Sequence, residues 1–333
     1  MAKICTVIAL SHSPFMFENV DWWTSTQAMR SYAPQARSDD DATNRRHYLR
    51  IQAGLKTLHD VFQAARPDVV LMFGDDQHEQ FDLNNHPPFA VYVGGRFSGY
   101  KAVRYAGPLG SRELKPKTDE HWASVPACPE LAISVLHGLM QAGFDPAFMK
   151  GLSNQEVGMG HAFMRPAGPW TGGRFDVPMV PILVNGLFAP QPTAARCVAV
   201  ARAVRRIIEE YPADLRVAVV GSGGLWHTPG APDSYLDEEF DQGILQRLAA
   251  GDADALASYF DQWTPAPHRQ ALRCFKQFDG GTGMAGGIGS GSGETRNWIM
   301  AAAVADRVPS WIDYVPLHTS PCGIGFAHWQ MDR

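Results

Sequence analysis

Apolar and polar positions follow two periods along this chain. Continuous apolar runs rich in β-branched residues at 4–10, 68–73, 89–93, 179–184 and 215–220 have the length and content of buried strands. Between them, Tyr48, Ile51, Leu55, Leu58 and Phe62 fall on one face of a helix predicted over about 43–65, closed by Pro67. Leu131, Val135 and Leu139 mark a second helix, opened by Pro129 and ended by Gly143. Val200, Val204, Ile207 and Tyr211 mark a third, and Leu236, Phe240, Ile244 and Leu248 a fourth. Strands alternating with helices predict a three-layer α/β/α fold around a central mixed sheet, with its ligand site at the strand ends. No internal repeat divides the chain, so one domain is expected over 1–333. Two stretches break the pattern. Residues 18–42, with Trp22, Trp23 and Pro34, predict an irregular, lid-like excursion, and the extremely Gly-rich 279–293 has the composition of a linker. A helical run then begins at Glu294, which presents that carboxylate at a helix N-terminus. Residues 312–318 and 323–328 are expected to be edge strands.

Chemistry-bearing residues gather where the strands stop. The 215–220 run ends at Gly221, Gly223 and Gly224, which permit a sharp turn, and Trp226 and His227 follow at once. The G-x-G-x-x-G fingerprint is absent there, and no Lys-Ser/Thr pair follows, so a nucleotide loop is a poor reading. The first strand ends in Ser11-His12-Ser13-Pro14, and the second in Gly74-Asp75-Asp76-Gln77-His78-Glu79-Gln80-Phe81. Six consecutive polar residues after a buried strand imply either a solvated loop or a metal site, because burying them without partners is costly. His161 is another glycine-flanked His, within Val157-Gly-Met-Gly-His-Ala-Phe163. His137, on its helix, is read as structural, and His121 and Trp122 as pocket lining in the loop-rich 95–128 region.

Composition narrows the class. The chain is 45% hydrophobic and 19% charged, as in an ordinary soluble globular protein. A net charge of −5 and a pI near 6.2 leave no electrostatic footprint for nucleic acid. The five scattered cysteines contain no C-x-x-C, so neither a disulfide framework nor a thiolate zinc site is expected. There is no 18-residue apolar span, and the N-terminal apolar run is too short for a signal peptide. The expected location is cytoplasmic, away from membranes.

Two imidazoles and a carboxylate, His12, His78 and Glu294, then suggest the facial triad of non-haem Fe(II) oxygenases, which keeps positions open for substrate and dioxygen. His161 and His227 remain as unligated imidazoles suited to acid–base work at neutral pH. Several motifs occur in order along most of the chain: Leu10-Ser-His-Ser-Pro14, the Asp76–Phe89 loop ending Asn-His-Pro-Pro-Phe, and Gly160-His-Ala-Phe163. Val177-Pro-Met-Val-Pro-Ile-Leu-Val-Asn-Gly186, Gly221-Ser-Gly-Gly-Leu-Trp-His227 and the Glu294 helix complete the set. In these the chain resembles the class III extradiol ring-cleavage dioxygenases, the family of protocatechuate 4,5-dioxygenase β-subunits and 2,3-dihydroxyphenylpropionate 1,2-dioxygenase.

That resemblance implies a catecholic, protocatechuate- or gallate-like substrate opened beside its diol by O2. Its implied roles are Fe(II) on His12, His78 and Glu294, proton transfer by His227, and His161 as its companion. The family pattern ends its second strand in Asp-His. Counting back from Phe81 sets Gln77 at that ligand position, a one-residue deletion sets His78 there, and Glu79 is a third choice. The usual Asp-His-Gly around the companion His is here Gly160-His161-Ala162, without its carboxylate neighbour. A homo-oligomer is expected, because no small helical companion domain is visible. Two other functions fit the same residues: a metal-dependent hydrolase, in which the ion activates water, and a non-catalytic binding member of the scaffold.

Overall fold

The computed structural model describes residues 1–27, 37–82, 84–106, 113–188, 190–227, 235–263 and 291–331. The strongest apolar runs form the strands they predict. β1 (Lys3–Leu10), β2 (Val69–Gly74), β7 (Met179–Val184) and β8 (Arg216–Ser222) are buried almost throughout. They pair in parallel, in the order β7-β2-β8-β1, at the heart of an eight-stranded sheet. β3 (Phe89–Tyr92) adds antiparallel to β7, and β6 (Ala147–Met149) adds parallel to β3. On the other side β10 (Cys322–Gln330) adds antiparallel to β1, and β9 (Trp311–Leu317) to β10. The sheet is mixed, as expected. β10 is not the edge strand its sequence suggests, because β9 covers its outer side. Within the region read as loops, β4 (Arg96–Tyr100) and β5 (Trp122–Pro126) form a separate antiparallel ribbon.

Period-two alternation along the central strands builds two cores, one on each face of the sheet. Val7, Val69, Leu71, Val217 and Val219 point to one side, where they meet α3 (Pro129–Gln141), α5 (Ala194–Glu210), α6 (Glu238–Ala250), α7 (Ala253–Trp263) and α8 (Thr295–Ala305). Ile8, Val70, Met72, Ala218 and Val220 point to the other, toward α1 (Val20–Gln27), α2 (Asp41–Ala65) and α4 (His161–Trp170). The layers are therefore α/β/α.

Part of the 18–42 excursion is ordered core, contrary to its irregular sequence. Trp23, on α1, is fully buried and packs edge-on against Phe15 and Tyr48. The acidic cluster caps rather than binds. The Asp40 carboxylate accepts from Thr43 N–H at 2.7 Å, and Asp39 accepts from the backbone of His318 and Thr319. Residues 28–36, and 279–290 of the Gly-rich stretch, lie outside the described residues. Among the described residues, no helix is long and apolar enough to cross a membrane.

Every residue of α8 is buried. Its alanines allow it to lie directly on β1, β2 and β8, with α5 and α7 packed outside it. Gly221 is required at this contact, because a Cβ there would come within 2.3 Å of the Asn297 carbonyl oxygen.

Candidate active site

Three strand ends and the head of α8 converge. His12 follows β1, Asp75 follows β2, Gly224 and His227 follow β8, and Glu294 is the N-cap residue of α8. His12, Asp75 and Glu294 are at most 2% exposed, and one donor atom from each lies within 4.8 Å of the others. His12 Nε2 is 3.2 Å from Glu294 Oε2 and 3.7 Å from Asp75 Oδ1.

The tautomer of His12 follows from its neighbours. The Ser222 hydroxyl donates its one proton to the Ala162 carbonyl at 2.5 Å, so it can only accept from His12 Nδ1, 3.1 Å away. In the neutral ring, Nε2 then carries the lone pair, aimed at the two carboxylates. Neither His12 Nε2 nor Asp75 Oδ1 has a hydrogen-bond partner, although both are buried. Buried polar atoms are rarely left this way without a ligand to satisfy them.

Gln77 links the acids. Its Nε2 donates to Glu294 Oε1 at 2.8 Å and to Asp75 Oδ2 at 3.1 Å. Glu294 also accepts from Gly224 N–H at 2.6 Å and lies 3.0 Å from His227 Nε2. Burial would raise Glu294, but His12 and His227 outweigh it and hold the group well below the usual carboxylate range. Burial and the nearby Glu294 push Asp75 up to about 7, a like-charge conflict that a cation would relieve. His12 is raised, because Glu294 and Asp75 outweigh its desolvation. One imidazole nitrogen and two carboxylates, with two unsatisfied buried donor atoms, suit a divalent metal ion.

His227 and His161 border this cluster and are each partly exposed. The His227 ring is held by Nδ1–H donating to the Leu225 carbonyl at 3.1 Å. Burial lowers it, but Glu294 more than compensates, and it is pushed up to about 9. The His161 ring meets that of His12 edge-on, with centroids 4.7 Å apart. Its Nδ1–H donates at 2.6 Å to Glu79, which also accepts from Arg104 Nη1 at 2.6 Å. Glu79 lies well below the carboxylate range, since His161 and Arg104 outweigh its burial. His161 is pushed down to about 4, because burial outweighs the attraction of Glu79. At neutral pH His161 is therefore neutral, with Nε2 unprotonated.

The structure brings some of the residues singled out in the sequence together and not others. His12, Glu294, His161 and His227 come together. His78 does not join the convergent ligand atoms. Its backbone sits at φ 58°, and its ring packs tilted against Phe188, with centroids 4.1 Å apart and His86 beyond at 6.4 Å. The chain reverses after Asp76, whose carboxylate accepts the backbone N–H groups of Gln80 and Phe81, and the turn carries His78 away. Asp75 stands in the cluster instead, with Gln77 spanning it. The carboxylate missing beside His161 in sequence is supplied by Glu79, from 82 residues away. Trp226 belongs to the core, its indole N–H donating to the Tyr235 carbonyl, and Trp122 packs on Tyr100 in the β4–β5 ribbon.

Residues 6–313 match the family described as the catalytic LigB subunit of aromatic ring-opening dioxygenase. Among curated proteins, the chain is 28% identical over 185 residues to a 2,3-dihydroxyphenylpropionate/2,3-dihydroxicinnamic acid 1,2-dioxygenase of Klebsiella pneumoniae. That alignment covers 56% of this chain and 50% of the relative. The enzyme of the same description from Escherichia coli is 28% identical over 195 residues, covering 59% of this chain and 54% of the relative. The chain thus spans about half the length of the curated relatives it matches. Of solved structures, an uncharacterized protein of Escherichia coli K12 covers 98% of this chain, and is itself covered to 99%, at 12% identity and a TM-score of 0.44. So loose a likeness adds nothing to the fold described above.

Proposed function

The chain belongs to the family of the catalytic LigB subunit of aromatic ring-opening dioxygenases, and from that membership we propose that it opens a catecholic ring beside its diol. Both atoms of O2 enter the product, and the ion is Fe(II), held by His12 Nε2, Asp75 and Glu294. The observation that carries the reading is the convergence of those three buried groups, two of them with unsatisfied donor atoms. When bound, the ion supplies Lewis acidity toward the diol oxygens and a redox link between the ring and dioxygen.

The protein's own groups divide the remaining work. Ser222 fixes the His12 tautomer, as partners of metal-bound imidazoles generally do. Gln77 holds the two carboxylates to one spacing without adding charge. Neutral His161, its Nδ1–H fixed on Glu79, presents Nε2 as acceptor for a diol proton. His227, charged below about pH 9, is the donor that returns a proton at Nε2.

Oxygen uptake by protein reconstituted anaerobically with Fe(II), run against a panel of catecholic acids with ring-opened product followed by absorbance, tests this. Uptake matched one-to-one by ring-opened product supports it. Bound iron without uptake on any diol would shift the reading to a hydrolase, and absence of bound metal to a binding scaffold.

A further inference from the structure

Arg165 lies one turn beyond His161 on α4, on the same face of that helix. Its Nη1 donates to the backbone carbonyl of His12 at 3.1 Å, which sets the guanidinium beside a proposed metal ligand. Its Nε is buried without a hydrogen-bond partner, and it forms no ion pair among the described residues. Two of the acidic groups whose field reaches it are already engaged: Glu79 with Arg104 and His161, Glu294 with Gly224, Gln77 and His227. The third, Glu18, forms no ion pair with it among the described residues.

The charges around the site make Arg165 the exception. A divalent ion held there would offset Asp75 and Glu294, and Arg104 offsets Glu79 at contact distance. Among the described residues around the site, Arg165 is the guanidinium left without an acidic partner. A partly buried charge in that position is costly unless a ligand completes it. Arg165 is partly exposed, like His161 and His227, whereas His12, Asp75 and Glu294 are closed off, so it stands on the side a ligand can reach.

We propose that Arg165 is a specificity-determining residue, pairing with a carboxylate carried on the ring of the diol substrate. A carboxylate presents two coplanar oxygens that match the guanidinium fork, and it supplies the negative charge the site lacks. This rests on the ring-opening reading above. It further requires the site to prefer an acidic diol over a neutral one of the same shape.

The test is equilibrium binding, without oxygen, of 3,4-dihydroxybenzoate and 3,4-dihydroxybenzamide to the metal-loaded protein. The wild type should bind the acid about 10–100-fold more tightly than the amide, the worth of one charge-assisted pair. Arg165→Met should abolish that preference while keeping amide affinity within about threefold. Arg165→Lys should retain part of the preference, and it replaces the methionine variant if that fails to fold. Equal binding of acid and amide by the wild type would overturn the Arg165 proposal and leave the ring-opening reading standing. So would an undiminished preference in Arg165→Met, or an equal loss of both ligands, which is what a purely structural role predicts. Binding of neither ligand by the metal-loaded wild type would overturn the diol reading itself, and this proposal with it.

Discussion

Glu79 and His161 are joined twice: one carboxylate oxygen accepts the His161 Nδ1–H at 2.6 Å and its backbone N–H at 3.1 Å. The same oxygen binds Arg104, and Gly160 has no side chain because a Cβ there would lie 2.4 Å from the other Glu79 oxygen. Glu79→Gln should lower kcat by about 10–100-fold with metal content unchanged, as loss of a ring-orienting partner usually does. Removing the negative charge also removes an influence that raises His161. The acid limb of the kcat profile should therefore move to lower pH, which a pH series on metal-loaded enzyme would read.

Ligands and proton carriers should separate on substitution. His227→Ala should retain metal and slow turnover by about 10²–10⁴-fold. His12→Ala, Asp75→Ala and Glu294→Ala should each lose the metal. Elemental analysis of each purified variant, alongside oxygen uptake, checks this. Metal loss in His227→Ala combined with retention in His12→Ala would reverse the roles.

His78 gives a sharper comparison, since its place after a strand and the family resemblance made it a ligand candidate, but its ring packs against Phe188. His78→Ala should bind metal with affinity within about threefold of wild type, whereas Asp75→Asn should weaken binding by at least about 10-fold. Competitive titration against a chelator distinguishes the two. Loss of metal in His78→Ala would return that residue to the site.

Asp241 predicts a pH effect on stability. It is fully buried, accepts from Trp226 N–H at 2.7 Å and from the Tyr314 hydroxyl at 2.7 Å, and burial pushes it up to about 7. With its folded pKa above the unfolded one, the folded protein holds that proton more tightly. Stability from this group is complete below about pH 4 and is lost as pH rises toward 7. Asp241→Asn should remove on the order of 2–4 kcal/mol of that decline. Urea midpoints for both proteins at pH 5 and 7.5 would measure it, and identical declines would sink the assignment.

The sheet was readable because its central strands are continuous apolar runs, and such runs need no long-range information to be recognised. That His12, His227 and Glu294 come together was readable for a related reason: each directly follows a strand or a glycine stretch. Asp75, Gln77 and Glu79 were not resolved, because five consecutive polar residues, Asp75–Glu79, share one turn and sequence does not say which way each faces. Asp75 faces His12 and Glu294, Asp76 binds its own loop backbone, and His78 rotates away at positive φ. The Glu79–His161 pair left no local trace, since its members meet only when α4 docks beside β2. Trp23 was misread for want of periodicity: a helix of eight residues carries too few turns to show a stripe.

α8 has no solvent-facing side, and Glu294 stands at its head. An exposed helix can tilt or exchange surface residues without disturbing what its end holds. A sheathed helix has no such freedom, because any change of volume along it is passed to β1, β8, α5 or its own first turn. The Glu294 carboxylate is thus in mechanical register with the deepest packing of the molecule. Substitutions as distant as Ala301 or Val304 should be read as much in metal affinity as in stability.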